Sequence, residues 1–189
     1  MKQSILFSST KRCLNALKKK QIIAYPTESV FGLGCDPDSK KAVLSLLDIK
    51  KRSINKGLIL ISAYFNQLNT YIEKQKLSLI QKKIIKQVWP GPLTLLLPKN
   101  HTTPEWITGN SVWIAARVTS HPSIRKLCKL FKKPIISTSA NLSGSKPCYN
   151  QNEIINVFGS KIPILKGFLG YKKPSCIVNI FSGKVIRYG

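Results

Sequence analysis

Short apolar runs recur along the whole chain, and stretches with helical periodicity separate them. Such runs predict buried strands, because a strand that is covered on both faces needs no polar alternation. The 189 residues contain no internal repeat, low-complexity segment or linker. This arrangement favours one domain, spanning residues 1–189, of the α/β or α+β class. We expect a mixed, twisted, open sheet that is flanked by helices.

The predicted elements follow from the apolar residues, the capping residues and the prolines. Ser39 can cap one helix, and the run WPGP that starts at Trp89 must end another. The predicted helices are a segment from Ser8 or Ser9 to Lys20, a segment after Ser39, Lys76–Val88, a helix that His121 and Pro122 open, and Gln151–Phe158. The predicted strands are 21–26, 57–63, 93–98 and 111–118, one that begins at Pro134, and the tail segments 163–165, 176–180 and 184–188.

The chain is strongly basic, with 31 lysines and arginines, 7 acids and a formal charge of +24 at pH 7. A field of that sign attracts polyanions such as nucleic acid, or the phosphates of a nucleotide. A general drift of composition toward lysine explains the charge equally well, because only five of the basic residues are arginines. The charge therefore supports an anionic ligand without identifying one.

The cysteines and histidines indicate a reduced, cytoplasmic protein. The five cysteines are an odd number without a C-x-x-C spacing, and no secretory signal precedes them. Two histidines argue against a zinc site. No apolar run approaches the roughly 20 residues that a membrane-spanning helix needs.

Three polar clusters follow predicted strands or strand–helix junctions: PTESVFGLG from Pro26, IKKRS from Ile49 and STSANLSG from Ser137. In open α/β sheets such loops are where ligands usually bind. Each cluster also has a structural explanation. The Gly-x-Gly can permit close packing, the cations can complement a helix C-terminus, and the hydroxyls can satisfy loop backbone.

Arg117 interrupts an apolar predicted strand, where an unpaired charge is costly. Its planar fork suits a carboxylate or a phosphate, and carboxylates are scarce in this chain, so an anionic ligand is the expected partner. The sequence has neither a phosphate-binding G-x-x-x-x-G-K-[ST] loop nor a G-x-S-x-G elbow. The lysine, arginine, serine, asparagine and threonine side chains of the polar clusters suit phosphoryl or nucleotidyl transfer, in which positioning and charge neutralisation supply most of the catalysis.

In this order the clusters resemble the YrdC/TsaC-type threonylcarbamoyl-AMP synthase family, whose signature is K-x-R followed much later by S-x-N. The matching residues are Lys50-Lys51-Arg52 and Ser139-Ala140-Asn141, and the resemblance extends through KGLILIS, WPGPLTLLLP, ARVTSHP and PSCIV. It implies a short, single-domain bacterial form that makes threonylcarbamoyl-AMP and pyrophosphate from L-threonine, bicarbonate or CO2, and ATP. A separate transferase complex would then move the threonylcarbamoyl group to tRNA, giving N6-threonylcarbamoyladenosine.

The resemblance also implies which residues form the site, with Lys50 and Arg52 as the catalytic groups. The implied ATP-binding residues are Lys50, Arg52, Ser139, Asn141 and Arg187, and the implied threonine-binding residues are Thr27, Arg117, Ser137 and Ser175. Mg²⁺ would arrive with ATP, without a protein side chain as its ligand. Lys50 and Arg52 would project together only from extended backbone, so the preceding helix is expected to end by Lys50.

Around the first cluster, the glycines would let backbone approach the substrate. Glu28 is either a general base or a carboxylate that stabilises the turn, and Asp36 and Asp38 are expected to serve the turn and the start of the next helix. Two alternatives to the synthase stay open. One is an RNA-binding protein that uses its basic surface on tRNA, rRNA or double-stranded RNA without catalysis. The other is carbamoyl-adenylate chemistry of the hydrogenase-maturation type, although those proteins are much longer.

Overall fold

The computed structural model describes residues 2–170 and 175–188, with side chains from residue 9 onward. Within those residues the chain forms eight strands and six α-helices. The strands are β1 (Ile23–Tyr25), β2 (Gly32–Gly34), β3 (Ile59–Ser62), β4 (Thr94–Pro98), β5 (Trp113–Val118), β6 (Ile135–Ser139), β7 (Ile177–Asn179) and β8 (Val185–Arg187). The helices are α1 (Lys2–Lys18), α2 (Lys40–Ile49), α3 (Leu79–Val88), α4 (Glu105–Thr108), α5 (Pro122–Phe131) and α6 (Gln151–Phe158).

The eight strands belong to one sheet with the order β1-β2-β6-β3-β5-β4-β7-β8. Strand β3 is parallel to β5 and β4 is parallel to β7, whereas the other neighbouring pairs are antiparallel. The predicted mixed, open sheet with flanking helices is therefore confirmed. The assignment of residues 1–189 to a single domain stays a prediction.

Both faces of the central sheet contribute to the core, because alternate side chains enter two different hydrophobic clusters. Leu60 of β3 and Ile136 of β6 belong to the larger cluster, whereas their neighbours Ile61 and Ile135 belong to the smaller one. Helices α1 and α5 contribute to the smaller cluster, and α2 contributes to the larger one. This two-sided burial explains why the strands read as continuous apolar runs. In the described residues, no helix has both the length and the apolar character that a membrane crossing requires.

Most predicted elements are present, and the differences lie mainly at their ends. Helix α2 begins after Ser39, whose hydroxyl accepts a backbone N–H as predicted. Helix α1 begins well before the predicted cap at Ser8 or Ser9. Helix α3 begins at Leu79 rather than Lys76, because a short 3-10 turn precedes it and Ser78 forms its cap.

Strand β2 and the short helix α4 were not predicted, and the predicted strand 163–165 is wrong. The Gly-x-Gly of β2 gave no strand signal, because glycine is depleted in strands and only pairing with neighbouring strands selects that conformation here. Residues 163–165 contribute a single bridge between Ile164 and Ala24.

The two glycines of β2 let neighbouring strands pack closely around Tyr25. A Cβ at Gly34 would lie 2.0 Å from the carbonyl oxygen of Ile136 and 2.9 Å from Tyr25 Cε1. A Cβ at Gly32 would lie 3.0 Å from Tyr25 Cε2. The Tyr25 ring is buried, and its hydroxyl donates a hydrogen bond of 3.0 Å to Ile136 O. Close packing therefore accounts for both glycines of the motif.

Gly34→Ala is expected to lower the free energy of unfolding by more than about 3 kcal/mol, because the clash is with backbone that cannot rotate away. Gly144→Ala is the matched control. A Cβ there meets nothing within 4 Å, so its cost comes only from the positive φ of 86°. That cost is about 1 kcal/mol. Urea unfolding of both variants measures the difference, and equal losses would contradict this account of Gly34.

Candidate active site

A cleft of about 490 Å³ lies along one face of the central sheet. Trp113, Ala115 and Arg117, which alternate along β5, line this cleft together with Ile59 of β3. Its volume falls in the range of roughly 300–1,000 Å³ that is typical of small-molecule sites. The predicted site residues in its lining are Thr27, Arg52, Arg117, Ser137, Ser139, Asn141, Ser175 and Arg187. Lys50 belongs to the predicted set but does not line the cleft.

Arg117 is buried in β5 with few partners for its charge. The residue is 4% exposed, its Nη2 lies 3.7 Å from Glu28 Oε2, and its Nε has no hydrogen-bond partner in the part of the chain that the structure describes. Burial lowers the pKa of Arg117, although the charge of Glu28 opposes that change. Although carboxylates are scarce in this chain, Glu28 supplies one beside the guanidinium, and the anionic ligand stays a prediction. At 3.7 Å the pair is too far apart for a hydrogen bond, so the guanidinium retains donors for an anionic ligand.

Glu28 holds together the turn that follows β5. Its Oε1 accepts hydrogen bonds from the Thr119 hydroxyl and from the backbone N–H groups of Ser120 at 2.9 Å and His121 at 3.1 Å. Burial acts to raise the pKa of Glu28, but Arg117 and these donors outweigh it, so the pKa is lowered overall. An ionised carboxylate with this many donors supports the turn-stabilising role and argues against a general base.

Glu28→Gln is expected to lower the free energy of unfolding near neutral pH by about 3 kcal/mol, because it leaves Arg117 buried without its counter-charge. Since the folded-state pKa is lowered, Glu28 contributes this stability above its unfolded pKa of about 4.3 and loses it as the pH falls through the folded value. The difference between variant and parent should therefore shrink in acid. Urea unfolding at about pH 7 and about pH 3 measures it.

Glu105→Gln, at an exposed carboxylate in the first turn of α4, is the control for that experiment. It should change the free energy of unfolding by less than about 0.5 kcal/mol. A Glu28→Gln effect of the same size at both pH values would contradict an ionised, paired Glu28.

Lys50 joins the K-x-R segment to the S-x-N loop. It is 2% exposed, and its Nζ donates to Ser139 O at 2.5 Å, Asn141 O at 2.6 Å and Asn141 Oδ1 at 3.3 Å. These three contacts use all three donors of an ammonium group. Burial, and then the charge of Arg52, lower the pKa of Lys50 to about 8. The predicted role of Lys50 toward ATP stays a prediction, and among the described residues the hydrogen bonds of its ammonium go to the S-x-N loop.

The backbone at Lys51 separates the directions of Lys50 and Arg52. Helix α2 ends at Ile49, as predicted, but the expectation of extended backbone is wrong. Lys50 is the helical C-cap, with φ −88° and ψ −8°, and Lys51 has a left-handed φ of 50°. Lys50 is consequently buried, whereas Arg52 lines the cleft. Arg52 donates to Lys56 O at 3.2 Å and Gly57 O at 2.9 Å, and its buried Nε has no partner.

The S-x-N loop is held by its own side chains as well as by Lys50. The Ser139 hydroxyl donates to Asn141 Oδ1 at 2.6 Å, and Asn141 Nδ2 donates to Leu142 O at 2.9 Å and Ser145 O at 2.7 Å. These hydrogen bonds support the loop in the absence of a ligand, and Ser139 and Asn141 line the cleft.

Two hydroxyls line the other side of the cleft. Thr27 Oγ1 donates to Val30 O at 2.7 Å and accepts from Ser29 N at 3.0 Å, which fixes the turn after β1. A hydroxyl oxygen can accept a second hydrogen bond, so Thr27 retains one position for a ligand donor. Ser137, a buried residue of β6, also faces the cleft.

Ser175 and Arg187 contact each other at the β7–β8 end of the cleft. Arg187 Nη2 donates to Ser175 O at 2.7 Å and to Ser175 Oγ at 3.1 Å, and Thr94 Oγ1 lies 3.1 Å from the same hydroxyl. Burial lowers the pKa of Arg187, and the charges of Arg117 and Arg52 lower it further. The sequence has only five arginines, and these three share one cleft and repel one another. An anionic ligand would relieve that repulsion.

The acids beyond the Gly-x-Gly motif form a separate cluster. Asp36 Oδ1 accepts the backbone N–H of Asp38 at 3.1 Å, which confirms the predicted turn role of Asp36. Lys133 pairs with Asp36 at 3.2 Å and with Asp38 at 2.8 Å. Ser39 supplies the side-chain cap of α2. These aspartates do not line the cleft.

The lining of the cleft also contains residues that were not predicted, among them Asn55, Thr108 and Trp113. Trp113 carried a usable signal, because it shares the face of β5 with Arg117. Asn55 lies in a short 3-10 helix and Thr108 is the last residue of α4, so only the fold brings them together, and no local pattern marks them.

A family model for Sua5/YciO/YrdC, described as "Telomere recombination", matches residues 15–189. The chain belongs to this family. A curated relative from Buchnera aphidicola subsp. Schizaphis graminum, named threonylcarbamoyl-AMP synthase, is 50% identical over 189 residues and is matched over 100% of both chains. The resemblance that K-x-R and S-x-N indicated is therefore confirmed.

Two solved structures place this fold within the same family. P. abyssi Sua5 complexed with L-threonine superposes with a TM-score of 0.86 at 29% identity, over 94% of this chain and 53% of that one. This chain thus spans about half the length of that protein. E. coli YciO superposes with a TM-score of 0.82 at 25% identity, over 95% of this chain and 88% of that one.

Proposed function

We propose that the protein is a threonylcarbamoyl-AMP synthase, a nucleotidyltransferase that forms L-threonylcarbamoyladenylate and pyrophosphate from L-threonine, bicarbonate or CO2, and ATP. The observation that carries the proposal is the cleft in which Arg52, Arg117 and Arg187 gather beside the S-x-N loop. The name of the Buchnera relative, matched over its whole length, supports it. RNA binding without catalysis is not favoured, because that relative is named as a synthase.

Threonine would occupy the part of the cleft near Arg117. Its carboxylate would accept hydrogen bonds from the guanidinium, which is buried and has an unpaired Nε. The hydroxyls of Thr27, Ser137 and Ser175 surround this position and can pair with the ammonium and hydroxyl groups of threonine. The threonine bound to P. abyssi Sua5 supports this amino acid as the substrate class.

ATP would occupy the part of the cleft between the K-x-R segment and the β7–β8 hairpin. Arg52 and Arg187 would face the phosphates, and Ser139 and Asn141 would contact the nucleotide from the opposite loop. Lys50 would maintain the position of that loop through its three hydrogen bonds. Guanidinium, hydroxyl and amide groups suit phosphate oxygens rather than a bare cation. Mg²⁺ would accordingly be held by the triphosphate and water, and it would supply charge neutralisation there.

The reaction would begin when the threonine ammonium gives up a proton to water and the resulting amine adds to CO2, and a second proton passes to water as the carbamate forms. A carbamate oxygen then attacks the α-phosphorus of ATP, the bond from that phosphorus to the bridging oxygen breaks, and pyrophosphate leaves. Arg117 would hold the threonine so that the carbamate faces ATP. Arg52 and Arg187 would stabilise the charge that develops on the phosphates, and each such donor can contribute about 3 kcal/mol.

The product would serve the formation of N6-threonylcarbamoyladenosine in tRNA, with a downstream transferase complex as the acceptor of the adenylate. Contact with tRNA through the basic surface and a cytoplasmic location belong to the same proposal. The five cysteines are free thiols, which is consistent with a reducing compartment.

The test combines purified protein, ATP labelled at the α-phosphate, L-threonine, bicarbonate and Mg²⁺. A labelled adenylate and pyrophosphate should appear only when threonine and bicarbonate are both present. Arg52→Ala should remove the product, whereas Arg12→Ala, at an exposed arginine of α1, should retain it. A folded protein that binds ATP but makes no adenylate would overturn the proposal.

A further inference from the structure

A second groove, of about 730 Å³, lies between α3, the chain that follows β3, and α5. It shares no lining residue with the cleft. Its apolar lining residues are Ala63, Phe65, Leu77, Leu79, Ile85, Trp89, Pro90 and Val118. The predicted site residues other than Lys50 line the cleft, and none of them lines this groove, so the groove is available for a different ligand.

Helix α3 exposes apolar side chains that its own fold does not cover. Ile85 is its only buried residue, whereas Leu79 is 83% exposed and Ile80 is 73% exposed. The helix also carries a capping box between Ser78 and Gln81, so its first turn is fixed although little packs on it. Exposed apolar side chains beside a groove are typical of an interaction surface.

The charged residues that line the groove, in the part of the chain that the structure describes, are all cations. Lys82, Lys83 and Lys86 line it from α3, at positions that share one face of the helix with Leu79. Lys74 and Arg125 line it from the other sides. None of the chain's seven acids, all of which lie in the described residues, is in its lining. A partner must therefore combine negative charge with apolar anchors, which excludes a second copy of this basic chain.

The groove suits a protein helix better than a nucleic acid strand. Bases bind single-strand sites by stacking on open aromatic faces, and such faces are scarce here. Trp89 is 7% exposed and packs against Phe65, whose ring Lys74 also covers at 5.2 Å. Tyr64 is 45% exposed, but Arg125 and Lys129 lie over its ring, at 5.4 and 5.0 Å from the centroid. The remaining open lining is largely aliphatic, as in grooves that receive the apolar face of a helix.

We propose that this groove binds an acidic amphipathic helix of a partner protein. Leucine or phenylalanine side chains of that helix would enter the apolar floor, and its glutamates and aspartates would face the lysines of α3. Helix α3 has 10 residues, so about three turns of partner helix can lie along it. The surface is smaller than a standard interface, so micromolar binding that weakens with salt is expected.

The probe is a fluorescent, N-acetylated synthetic peptide of about 14 residues, with leucine at i, i+3, i+4 and i+7 and glutamate at most other positions. Fluorescence anisotropy measures its binding to the full chain. A second peptide has lysine in place of every glutamate, and a third has the same composition with the leucine spacing scrambled. Competition with a single-stranded RNA oligonucleotide and with vesicles of anionic lipid is measured in parallel.

The Lys82→Glu/Lys83→Glu double variant should weaken binding of the acidic peptide by about tenfold or more, and Leu79→Ser should weaken it as well. The matched control is Lys19→Glu/Lys161→Glu, two exposed lysines outside both the groove and the cleft, which should bind like the parent chain. Formation of the adenylate should be unchanged in all three variants, which verifies their fold.

Three results would overturn the proposal. The first is equal binding of the acidic and scrambled peptides, and the second is binding that the α3 charge reversal leaves unchanged. The third is RNA or vesicle binding that the α3 reversal abolishes while the acidic peptide fails to bind, which would assign the groove to a different partner.

Discussion

Arg117→Lys is expected to reduce kcat/KM for threonine by about a hundredfold or more while leaving ATP binding nearly intact. A lysine keeps the positive charge but loses the planar fork, so it cannot pair with a carboxylate through two parallel hydrogen bonds. The guanidinium is buried beside Glu28 and still has an unpaired Nε, so the arrangement is prepared for one more anion. Arg117→Lys should therefore weaken the binding of the threonine carboxylate.

The measurement is the rate of adenylate formation at varied threonine concentration, together with ATP affinity in the absence of threonine. Arg12→Lys makes the same chemical change at an exposed position of α1 and should behave like the parent chain. Urea unfolding of Arg117→Lys identifies any loss that comes from folding. An unchanged KM for threonine in a folded Arg117→Lys protein would contradict the assignment, and an equal loss of ATP affinity would move Arg117 to the nucleotide.

The regular elements could be predicted because their determinants are local. Buried strands such as β3 and β6 read as apolar runs, and Ser39 marks the start of α2 through a capping pattern. Strand β2 could not be predicted in this way. Its glycines have little strand propensity, and the requirement for them comes from Tyr25 and Ile136, which lie elsewhere in the sequence.

The kind of chemistry at the site could be predicted from residue types, but the protein groups that pair with each site residue could not. Arg117 was identified as needing an anion, because a charge inside an apolar strand requires one. Glu28 supplies part of the counter-charge for Arg117. This pairing could not be predicted, because it depends on the turn at Thr119, Ser120 and His121, which holds the carboxylate close to the guanidinium. Lys50 shows the same limit. The side chain of Lys50 points inward because the backbone at Lys51 is left-handed, and the sequence does not reveal that conformation.

The second large effect is expected for Lys50→Met. This variant distinguishes a structural role of Lys50 from a direct contact with phosphate. Methionine retains an unbranched, apolar stem but removes the donor of Ser139 O and Asn141 O, and it leaves Asn141 Oδ1 with the Ser139 hydroxyl alone. We expect the free energy of unfolding without ligand to fall by about 3 kcal/mol, and adenylate formation to fall by about a hundredfold as the S-x-N loop loses its position. Lys51→Met, at the exposed neighbouring lysine, should change both quantities little.

The pH dependence of unfolding identifies the buried ammonium directly. The pKa of Lys50 is lowered to about 8 by burial and by Arg52. In the unfolded chain a lysine titrates near 10.4, so between about pH 8 and 10 the unfolded state binds more protons and the Lys50 contribution makes stability rise with pH. Lys50→Met should lack that rise, and Lys51→Met should keep it. If Lys50→Met instead unfolds like the parent chain at every pH but no longer binds ATP, Lys50 would be a phosphate ligand without a structural role. The K-x-R motif would then bind ATP through both of its cations, whereas the expected result leaves Arg52 as the cation that faces the nucleotide.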